Sequence, residues 1–339
     1  MKFIVQRIVD GFRVHTIING SIIASKGYKI YSSKNNGKSW FFCGELPINS
    51  YKKILSHSNI INRFTRIGIS QIKKIQQDKI IIGCDGSFFL SDLEFSEFIK
   101  IDIPSRFFQL LDHSICVNSK YAYYGEYYPN VKRNKVKIFR SSDGLNWKEI
   151  YIFPKKSIKH IHVLQYDSFT QRVWFSTGDD DNECMVGHAD RDFLEVETVG
   201  KVGQKWRTLE FLFTKNKVFW GMDNPKGRNH LVEYDRNTRE TKFRGEFTGP
   251  IYNLKEFKNW FLVSTANEGG SSESDNCAHL WVSENLSDWV DLVSYLKDNL
   301  PYLAGYGRIL FPNRLEKKII FSGLGLKIID NKTVIGEIE

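Results

Sequence analysis

Residues 141–147 read Ser-Ser-Asp-Gly-Leu-Asn-Trp, a polar run that contains one glycine and ends in an aromatic side chain. A closely similar run, Ser-Lys-Asn-Asn-Gly-Lys-Ser-Trp, occupies residues 33–40, and weaker copies occupy residues 283–289 and 91–98. Such runs favour tight turns, because Ser, Asn and Asp side chains accept hydrogen bonds from the turn backbone and glycine tolerates positive φ. These copies predict hairpins at equivalent places in a repeated β unit.

The repeated unit spans roughly 45 residues. A strand with a polar or cationic residue comes first, followed by an apolar strand that ends in glycine and an acid, a third strand, the turn described above and a fourth strand. We predict an all-β fold, a seven-bladed β-propeller in a single domain over 1–339, with a six-bladed ring as the alternative. The predicted blades are 11–47, 62–103, 105–153, 158–202, 203–247, 249–298 and 303–339.

Two segments fall outside this plan. The strand at residues 3–8 has no blade of its own, and we predict that it joins the last blade and closes the ring, which removes an open sheet edge. Residues 290–300 carry several apolar side chains, and we predict one short helix in a loop there.

Composition narrows the class of partner. The formal net charge of +9 indicates an anionic partner,. No arginine-rich arm or recognition helix is present, so we expect an anionic sugar or oligosaccharide and not nucleic acid. Five scattered cysteines without a C-x-x-C motif predict buried thiols in a reducing compartment,. The first residues lack the apolar core of a signal peptide and no run is long enough for a membrane span, so we expect a cytoplasmic protein. The oligomeric state stays open.

The segments 159–167 and 173–181 predict two strands with an unusual set of polar residues. The first contains His160 and His162, which point to the same side because a strand has a period of two,. The second ends in glycine followed by three aspartates, 179–181. Adjacent carboxylates repel one another, so this run indicates a function other than stability.

In a propeller, the starts of the first strands and the ends of the second strands form one mouth of the central channel. The predicted second-strand ends carry carboxylates in five blades, namely Asp85, Glu126, Asp179, Asp223 and Glu268. The predicted first-strand starts carry Arg66, Arg106, Arg207, Arg308, His160, His162, Tyr252 and Tyr306. We therefore predict a polar site at this mouth, although carboxylate–arginine pairs could instead tie neighbouring blades together.

Roles follow from side-chain chemistry. Crowded carboxylates have raised pKa values, which suits acid–base catalysis and glycoside hydrolysis. Arginine guanidinium groups bind carboxylates or phosphates through two parallel hydrogen bonds. The predicted catalytic residues are Asp180, Asp223, Glu268, His160 and His162. The predicted substrate contacts are Arg66, Arg106, Arg207, Arg308, Glu126, Asp179 and Tyr252. No cofactor is expected, but His160 and His162 could hold a divalent metal with the aspartates at 179–181.

The turns resemble the Asp-box, or BNR, hairpin of sialidase-like β-propellers. A second resemblance covers roughly residues 158–270, where His-x-His…Thr-Gly-Asp, Trp-Arg-Thr…Gly-Met-Asp and Gly-Pro-Ile-Tyr…Ala-Asn-Glu are similar to a group of bacterial BNR-type propellers associated with glycan metabolism and surface polysaccharides. Sialidases use three arginines, a Tyr–Glu nucleophile pair and an acidic Asp. Their Phe/Tyr-Arg-Ile-Pro signature is matched only in part, by Phe-Thr-Arg-Ile-Gly at 64–68.

Together these features favour an intracellular, glycosidase-like enzyme that acts on an anionic sugar or a surface-polysaccharide precursor at the channel mouth. A non-catalytic propeller that binds a glycan or a partner protein is the first alternative, and a metal-assisted polysaccharide lyase is the second. The residues do not specify the sugar, the linkage or the stereochemical outcome.

Overall fold

The computed structural model describes residues 1–76, 78–103 and 114–339. Its strands form seven four-stranded antiparallel sheets. Six of the sheets are built from four consecutive strands, and the seventh combines strands from both ends of the chain. The prediction of an all-β, seven-bladed propeller is confirmed, and the six-bladed alternative is wrong.

The strands follow the blade order. The chain begins with β1 (Phe3–Asp10), and blade one contains β2 (Arg13–Ile18), β3 (Ser21–Lys26), β4 (Lys29–Ser33) and β5 (Phe41–Glu45). Blade two contains β6 (Ile69–Lys74), β7 (Ile80–Cys84), β8 (Ser87–Ser91) and β9 (Phe98–Ile101). Blade three contains β10 (Ile115–Val117), β11 (Ala122–Gly125), β12 (Val136–Ser141) and β13 (Lys148–Phe153). Blade four contains β14 (His160–Asp167), β15 (Arg172–Gly178), β16 (Met185–Ala189) and β17 (Val196–Lys201).

Blades five to seven complete the ring. Blade five contains β18 (Phe211–Phe213), β19 (Lys217–Gly221), β20 (Asn229–Asp235) and β21 (Thr241–Phe247). Blade six contains β22 (Ile251–Phe257), β23 (Trp260–Thr265), β24 (Cys277–Ser283) and β25 (Val290–Leu296). Blade seven contains β26 (Arg308–Leu310), β27 (Ile319–Leu324) and β28 (Lys332–Ile338). Short 3₁₀ turns occur at Asp181–Glu183, Gln204–Trp206 and Tyr302–Ala304.

The ring closes through its two ends. Strand β1 pairs antiparallel with β28, with Phe3 opposite Ile338 and Asp10 opposite Lys332. The first strand thus becomes the outermost strand of blade seven, and the predicted closure is confirmed. This pairing occupies a backbone edge that β28 would otherwise expose.

Two helices lie between blades one and two, α1 (Ser50–Leu55) and α2 (Asn59–Thr65), and neither was predicted. The Ser58 side chain caps α2 by accepting a hydrogen bond from the Ile61 amide,. The predicted start of blade two at residue 62 is therefore wrong, since the first strand of that blade begins at Ile69. Arg63 fastens helix α2 to the segment between blades six and seven. It donates to the Asp298 carboxylate at 2.6 Å and to the Ala304 carbonyl at 2.9 Å.

The helix predicted in residues 290–300 is also wrong, because β25 occupies Val290–Leu296. This strand pairs with β24, and the register shifts between Leu280 and Trp281. The apolar side chains of β25 pack on the core shared by blades six and seven. Pairing with a neighbouring strand thus outweighs the local apolar pattern.

The predicted turn chemistry is present in the hairpin at residues 141–147. Ser141 Oγ accepts a hydrogen bond from the Gly144 amide at 2.9 Å, and Asp143 Oδ1 accepts from the Asn146 amide at 2.8 Å. Gly144 has a φ of +78°, and a Cβ there would lie 2.6 Å from the Ile75 side chain of the neighbouring blade. Glycine is needed both for the backbone conformation and for close blade packing. Trp147 closes the turn by donating to the Gly144 carbonyl at 2.9 Å.

Large aromatic side chains fill the spaces between blades. Trp174 of blade four and Trp220 of blade five are buried in one cluster that includes Phe211. The five cysteines all lie in the described part of the chain and none forms a disulfide. Within the described ranges, no helix has the length and apolar character needed to cross a membrane.

Candidate functional site at one mouth of the channel

A cluster of His160, His162 and Asp179 lies at the start of blade four. His160 is paired with Gly178 across β14 and β15, so Asp179 directly follows the strand pair. The Nε2 atoms of the two histidines lie 3.0 Å apart, and Asp179 Oδ1 lies 3.3 Å from His160 Nε2 and 3.0 Å from His162 Nε2. Both imidazoles are buried. The prediction that the two histidines share one side of the strand is confirmed.

Backbone and aromatic contacts orient the His160 ring. Its Nδ1 atom lies 3.1 Å from the Tyr128 carbonyl oxygen, which can only accept a hydrogen bond. Nδ1 therefore carries a proton, and in the neutral ring Nε2 presents a lone pair to His162 and Asp179. The Tyr127 ring packs on His160 with ring centroids 4.1 Å apart.

Arg207 links this cluster to Asp223 of blade five. Its Nε atom donates to Asp223 Oδ2 at 2.9 Å, and its NH2 nitrogen lies 3.6 Å from Asp179 Oδ1. The Arg207 stem crosses Gly178, where an added Cβ would lie 3.3 Å from the stem carbons. The glycine at the end of β15 thus leaves room for the arginine. His162 Nδ1 lies 3.6 Å from Asp223 Oδ2 on the opposite side of its ring.

Burial and neighbouring charges shift the pKa values of these groups in different directions. Burial, with the charges of Glu268 and Asp179, raises the pKa of Asp223 to about 7 against the opposing effect of Arg207,. Burial lowers the pKa of His162 to about 3. Burial alone would raise the pKa of Asp179, but the adjacent imidazoles of His160 and His162 outweigh it and hold that pKa below its usual range.

A second pair, Tyr252 and Glu268, belongs to blade six. The Tyr252 hydroxyl donates to Glu268 Oε1 at 2.6 Å. The Arg308 guanidinium lies 5.7 Å from the centroid of the Tyr252 ring. Burial raises the pKa of Tyr252 well above 10.0 and also raises the pKa of Glu268. The Glu273 carboxylate fixes the backbone of Glu268, because it accepts a hydrogen bond from the Glu268 amide at 2.7 Å.

Irregular strand pairing directs several of these side chains. The register of β14 shifts between Ile161 and Val163, which leaves His162 as the extra residue. The register of β22 shifts in the same way between Ile251 and Asn253, which leaves Tyr252 as the extra residue. Bulges re-aim side chains and often lie beside functional sites.

A cavity of about 500 Å³ opens beside these groups, and Tyr127, Tyr252 and Tyr306 contribute to its wall. Arg66 and Arg308 line the same cavity. Within the described part of the chain, the buried Nε atom of Arg308 has no hydrogen-bond partner. The cavity therefore combines aromatic rings with positive charge, next to buried and half-buried acids.

Some of the predicted residues lie apart from the cluster. Asp180 points to solvent, with its side chain 67% exposed and paired with Arg133 at 2.8 Å. Glu126 is buried and accepts a hydrogen bond from the Lys137 amide at 2.8 Å. Arg66 does not begin a strand but ends α2, although it still lines the cavity. Arg106 lies outside the described residues.

Two contributors were given no role at the sequence level. Lys159 binds Asp179 Oδ2, and its only signal was its position directly before His160. Glu273 organises the loop after β23, because its carboxylate also accepts from the Gly269 amide at 2.9 Å. An acid in a loop rich in glycine and serine carries no pattern that would have identified this contact.

Comparison with known proteins supports the fold alone. Neither a protein-family model nor a curated protein sequence matches the chain. The chain is similar to a solved structure of the mitotic checkpoint complex, with a TM-score of 0.57 and 10% identity over 99% of this chain and 94% of that one. It is similar to the CNH domain of AfRom2, with a TM-score of 0.57 and 9% identity over 100% of this chain and 97% of that one. It is also similar to the extracellular domain of a hybrid two-component system from B. thetaiotaomicron, with a TM-score of 0.58 and 12% identity over 100% of this chain and 40% of that one.

Proposed function

We propose that the channel mouth is the active site of a glycosidase-like enzyme that acts on an anionic sugar. Tyr252 is the nucleophile and Glu268 is the base that takes its proton. The observation that carries the proposal is the 2.6 Å hydrogen bond from the Tyr252 hydroxyl to Glu268, in the wall of a cavity that Arg308 also lines.

A phenol suits an anionic substrate for an electrostatic reason. A carboxylate nucleophile would repel the negative group of the sugar, whereas the Tyr252 hydroxyl stays neutral until it reacts. A neighbouring base activates such a nucleophile by accepting its proton as the new bond forms. Burial raises the pKa of Tyr252, which keeps the phenol neutral before reaction, and raises the pKa of Glu268, which makes its carboxylate a stronger base.

The covalent step is a displacement at the anomeric carbon. The bond from Tyr252 Oη to that carbon forms, the bond to the leaving oxygen breaks, and the tyrosine proton passes to Glu268. Asp223 is the candidate donor of a proton to the leaving oxygen, since its Oδ1 atom is buried and has no partner among the described residues. Water then attacks the anomeric carbon of the glycosyl–tyrosine intermediate and gives its proton to Asp223, while Glu268 returns the proton to Tyr252 Oη.

The cations divide into two groups. Arg308 and Arg66 line the cavity and are the candidates for binding the anionic group in bidentate fashion,. Arg207 is occupied by Asp223 and lies near Asp179, so it positions the acids. A Tyr–Glu pair beside arginines is also what the resemblance to sialidase-like propellers implies, and the turn motifs add to that support.

The test is a panel of 4-methylumbelliferyl glycosides, with an α-sialoside and a β-glucuronide set against a neutral β-glucoside. We expect release of the fluorophore from an acidic sugar only. A fluorinated analogue of the cleaved sugar should label the protein once, and peptide mapping should locate the label on Tyr252. Tyr252→Phe should abolish labelling, whereas Tyr306→Phe, which changes another tyrosine of the same cavity wall, should retain it.

The non-catalytic alternative makes the opposite prediction. Acidic sugars would bind, as measured by calorimetry, with no fluorophore released and no label on the protein. That result would contradict the proposed chemistry and assign the cavity to recognition alone.

A further inference from the structure

We infer that His160, His162 and Asp179 bind one divalent transition-metal ion, for which Zn²⁺ is the best fit. This site stands independently of whether Tyr252 acts as a nucleophile. The three candidate ligand atoms are His160 Nε2, His162 Nε2 and one Asp179 carboxylate oxygen, and they all lie within 4.8 Å of one another.

The spacing of these atoms matches a coordination shell. A tetrahedral zinc ion with bonds of about 2.0–2.1 Å holds its ligand atoms about 3.3 Å apart. The three observed separations are 3.0, 3.0 and 3.3 Å. All three edges of one face of the tetrahedron are therefore present to within a few tenths of an ångström.

The tautomer of His160 also supports a metal site. Because its Nδ1 atom donates to the Tyr128 carbonyl, its Nε2 lone pair faces Asp179 Oδ1 at 3.3 Å. A lone pair and a carboxylate oxygen repel at that distance unless a proton or a cation lies between them. A carbonyl that accepts from the remote ring nitrogen is also the usual second contact of a metal-binding histidine.

His162 shows a second mismatch that a cation removes. If its Nε2 atom carried the only proton, its Nδ1 atom would present a buried lone pair to Asp223 Oδ2 at 3.6 Å, so that two acceptors would face each other. His162 Nδ1 has no hydrogen-bond partner among the residues that the structure describes. With a metal on Nε2, the proton moves to Nδ1 and points toward the Asp223 carboxylate, as in carboxylate–histidine–zinc arrangements.

Charge and access are compatible with an ion at this point. Lys159 occupies Asp179 Oδ2, which leaves Oδ1 for the metal. The NH2 nitrogen of Arg207 stays 3.6 Å from Oδ1, beyond a direct hydrogen bond,. The cluster lies directly behind Tyr127, whose ring packs on His160 and lines the cavity. Three protein ligands beside a cavity leave a position for water or a substrate oxygen.

The donor set selects the class of metal. Two imidazole nitrogens and one carboxylate suit zinc or ferrous iron, whereas Mg²⁺ and Ca²⁺ prefer oxygen ligands alone. A bound ion would supply a Lewis acid at the wall of the cavity.

Metal content is the first measurement. The protein is purified without a polyhistidine tag, stripped with a chelator and titrated with ZnCl₂ against a chromophoric competitor. We expect one Zn²⁺ per chain and a rise in the thermal midpoint of the stripped protein, because an ion that binds only the folded state stabilises it. MgCl₂ should have no effect.

Variants separate a metal site from a structural cluster. Asp179→Asn and His162→Gln should each weaken Zn²⁺ binding by about 100-fold or more, and Asp223→Asn by about 10- to 100-fold, as expected for a ligand and for a residue that orients one. His230→Gln, whose imidazole binds the Gly245 carbonyl away from the cluster, should bind Zn²⁺ like the wild type. Tyr252→Phe should also keep full affinity, so failure of the glycosidase proposal would leave this result unchanged.

One outcome overturns the inference. If the folded wild-type protein binds no Zn²⁺, Mn²⁺ or Fe²⁺ and its thermal midpoint does not change, then the three residues form only a hydrogen-bonded cluster. Since this measurement uses the wild type, it does not depend on whether any variant folds.

Discussion

Nε of Arg207 lies 2.9 Å from Oδ2 of Asp223, in a pair where the arginine side chain is 13% exposed and the aspartate 3% exposed. The arginine follows the 3₁₀ turn Gln204–Trp206, and the aspartate follows β19, so the pair forms within blade five. The same guanidinium lies near Asp179 of blade four. One cation therefore compensates carboxylates from two blades.

Loss of this cation should destabilise the fold. Arg207→Met keeps much of the stem but leaves Asp223 buried without its partner, and breaking such a pair from one side costs about 3–5 kcal/mol. We expect that loss in the free energy of unfolding, measured by urea denaturation at neutral pH. Arg228→Met is the matched control, since its pair with Glu246 is 79% and 52% exposed and should cost less than about 1 kcal/mol,. Equal effects of the two variants would contradict the buried role of Arg207.

Arg308 should act on substrate charge. Its guanidinium lies beside Tyr252 in the cavity wall. Arg308→Gln removes the charge and leaves a shorter polar side chain, so we expect KM for an acidic glycoside to rise by about tenfold or more, as for the loss of a charge-assisted hydrogen bond worth about 1.5–3 kcal/mol. Arg133→Gln is the control, because that arginine pairs with the exposed Asp180. An unchanged KM in Arg308→Gln would remove this residue from the binding site.

The closing strand should be essential for a stable ring. Removal of residues 2–10 deletes β1, exposes the edge of β28 and removes Phe3 from the core between blades six and seven. Loss of Phe3 burial alone costs about 2 kcal/mol, and the exposed edge favours association. We expect a lower thermal midpoint and oligomers in gel filtration. Gln6→Ala, which removes only an exposed contact to Glu337, should behave like the wild type. A monomeric truncation with an unchanged midpoint would show that the ring closes without β1.

His15 should make stability depend on pH. Burial, followed by the charge of Arg13, lowers the pKa of His15 well below 6.5, and its Nε2 atom lies 2.8 Å from Ser25 Oγ. The unfolded chain takes up the proton near pH 6.5 and the folded chain does not, so the unfolded state binds more protons in acid and stability falls as the pH drops,. The expected slope from this group is at most about 1.4 kcal/mol per pH unit.

The measurement compares unfolding free energies of the wild type and His15→Gln between pH 7.5 and about 5. Glutamine does not titrate, so the difference between the two curves should shrink in acid. If the stability curves of His15→Gln and the wild type ran parallel, His15 would bind the same number of protons in the folded and unfolded states.

The blade plan was readable from the sequence because its causes are local. Turn residues at 141–147 and the apolar strands around them depend on neighbours within one hairpin, and their repetition indicated seven units and a spare strand to close the ring. Local pattern failed where two structures compete. Residues 290–300 suit a helix by their apolar side chains, yet β25 forms because β24 supplies an edge to pair with. The two helices before blade two carried no strong periodic pattern at all.

The candidate site divides in the same way. Sequence reasoning brought His160, His162 and Asp223 to one mouth, because every blade repeats the same path to the channel. Only the tertiary structure distinguished Asp179, which faces the histidines, from the exposed Asp180 one residue later. Only the tertiary structure paired Tyr252 with Glu268. Successive side chains of a strand point to opposite faces, and one bulge exchanges the faces for the residues after it. The direction of a given side chain therefore depends on strand pairing, which the order of residues alone does not reveal.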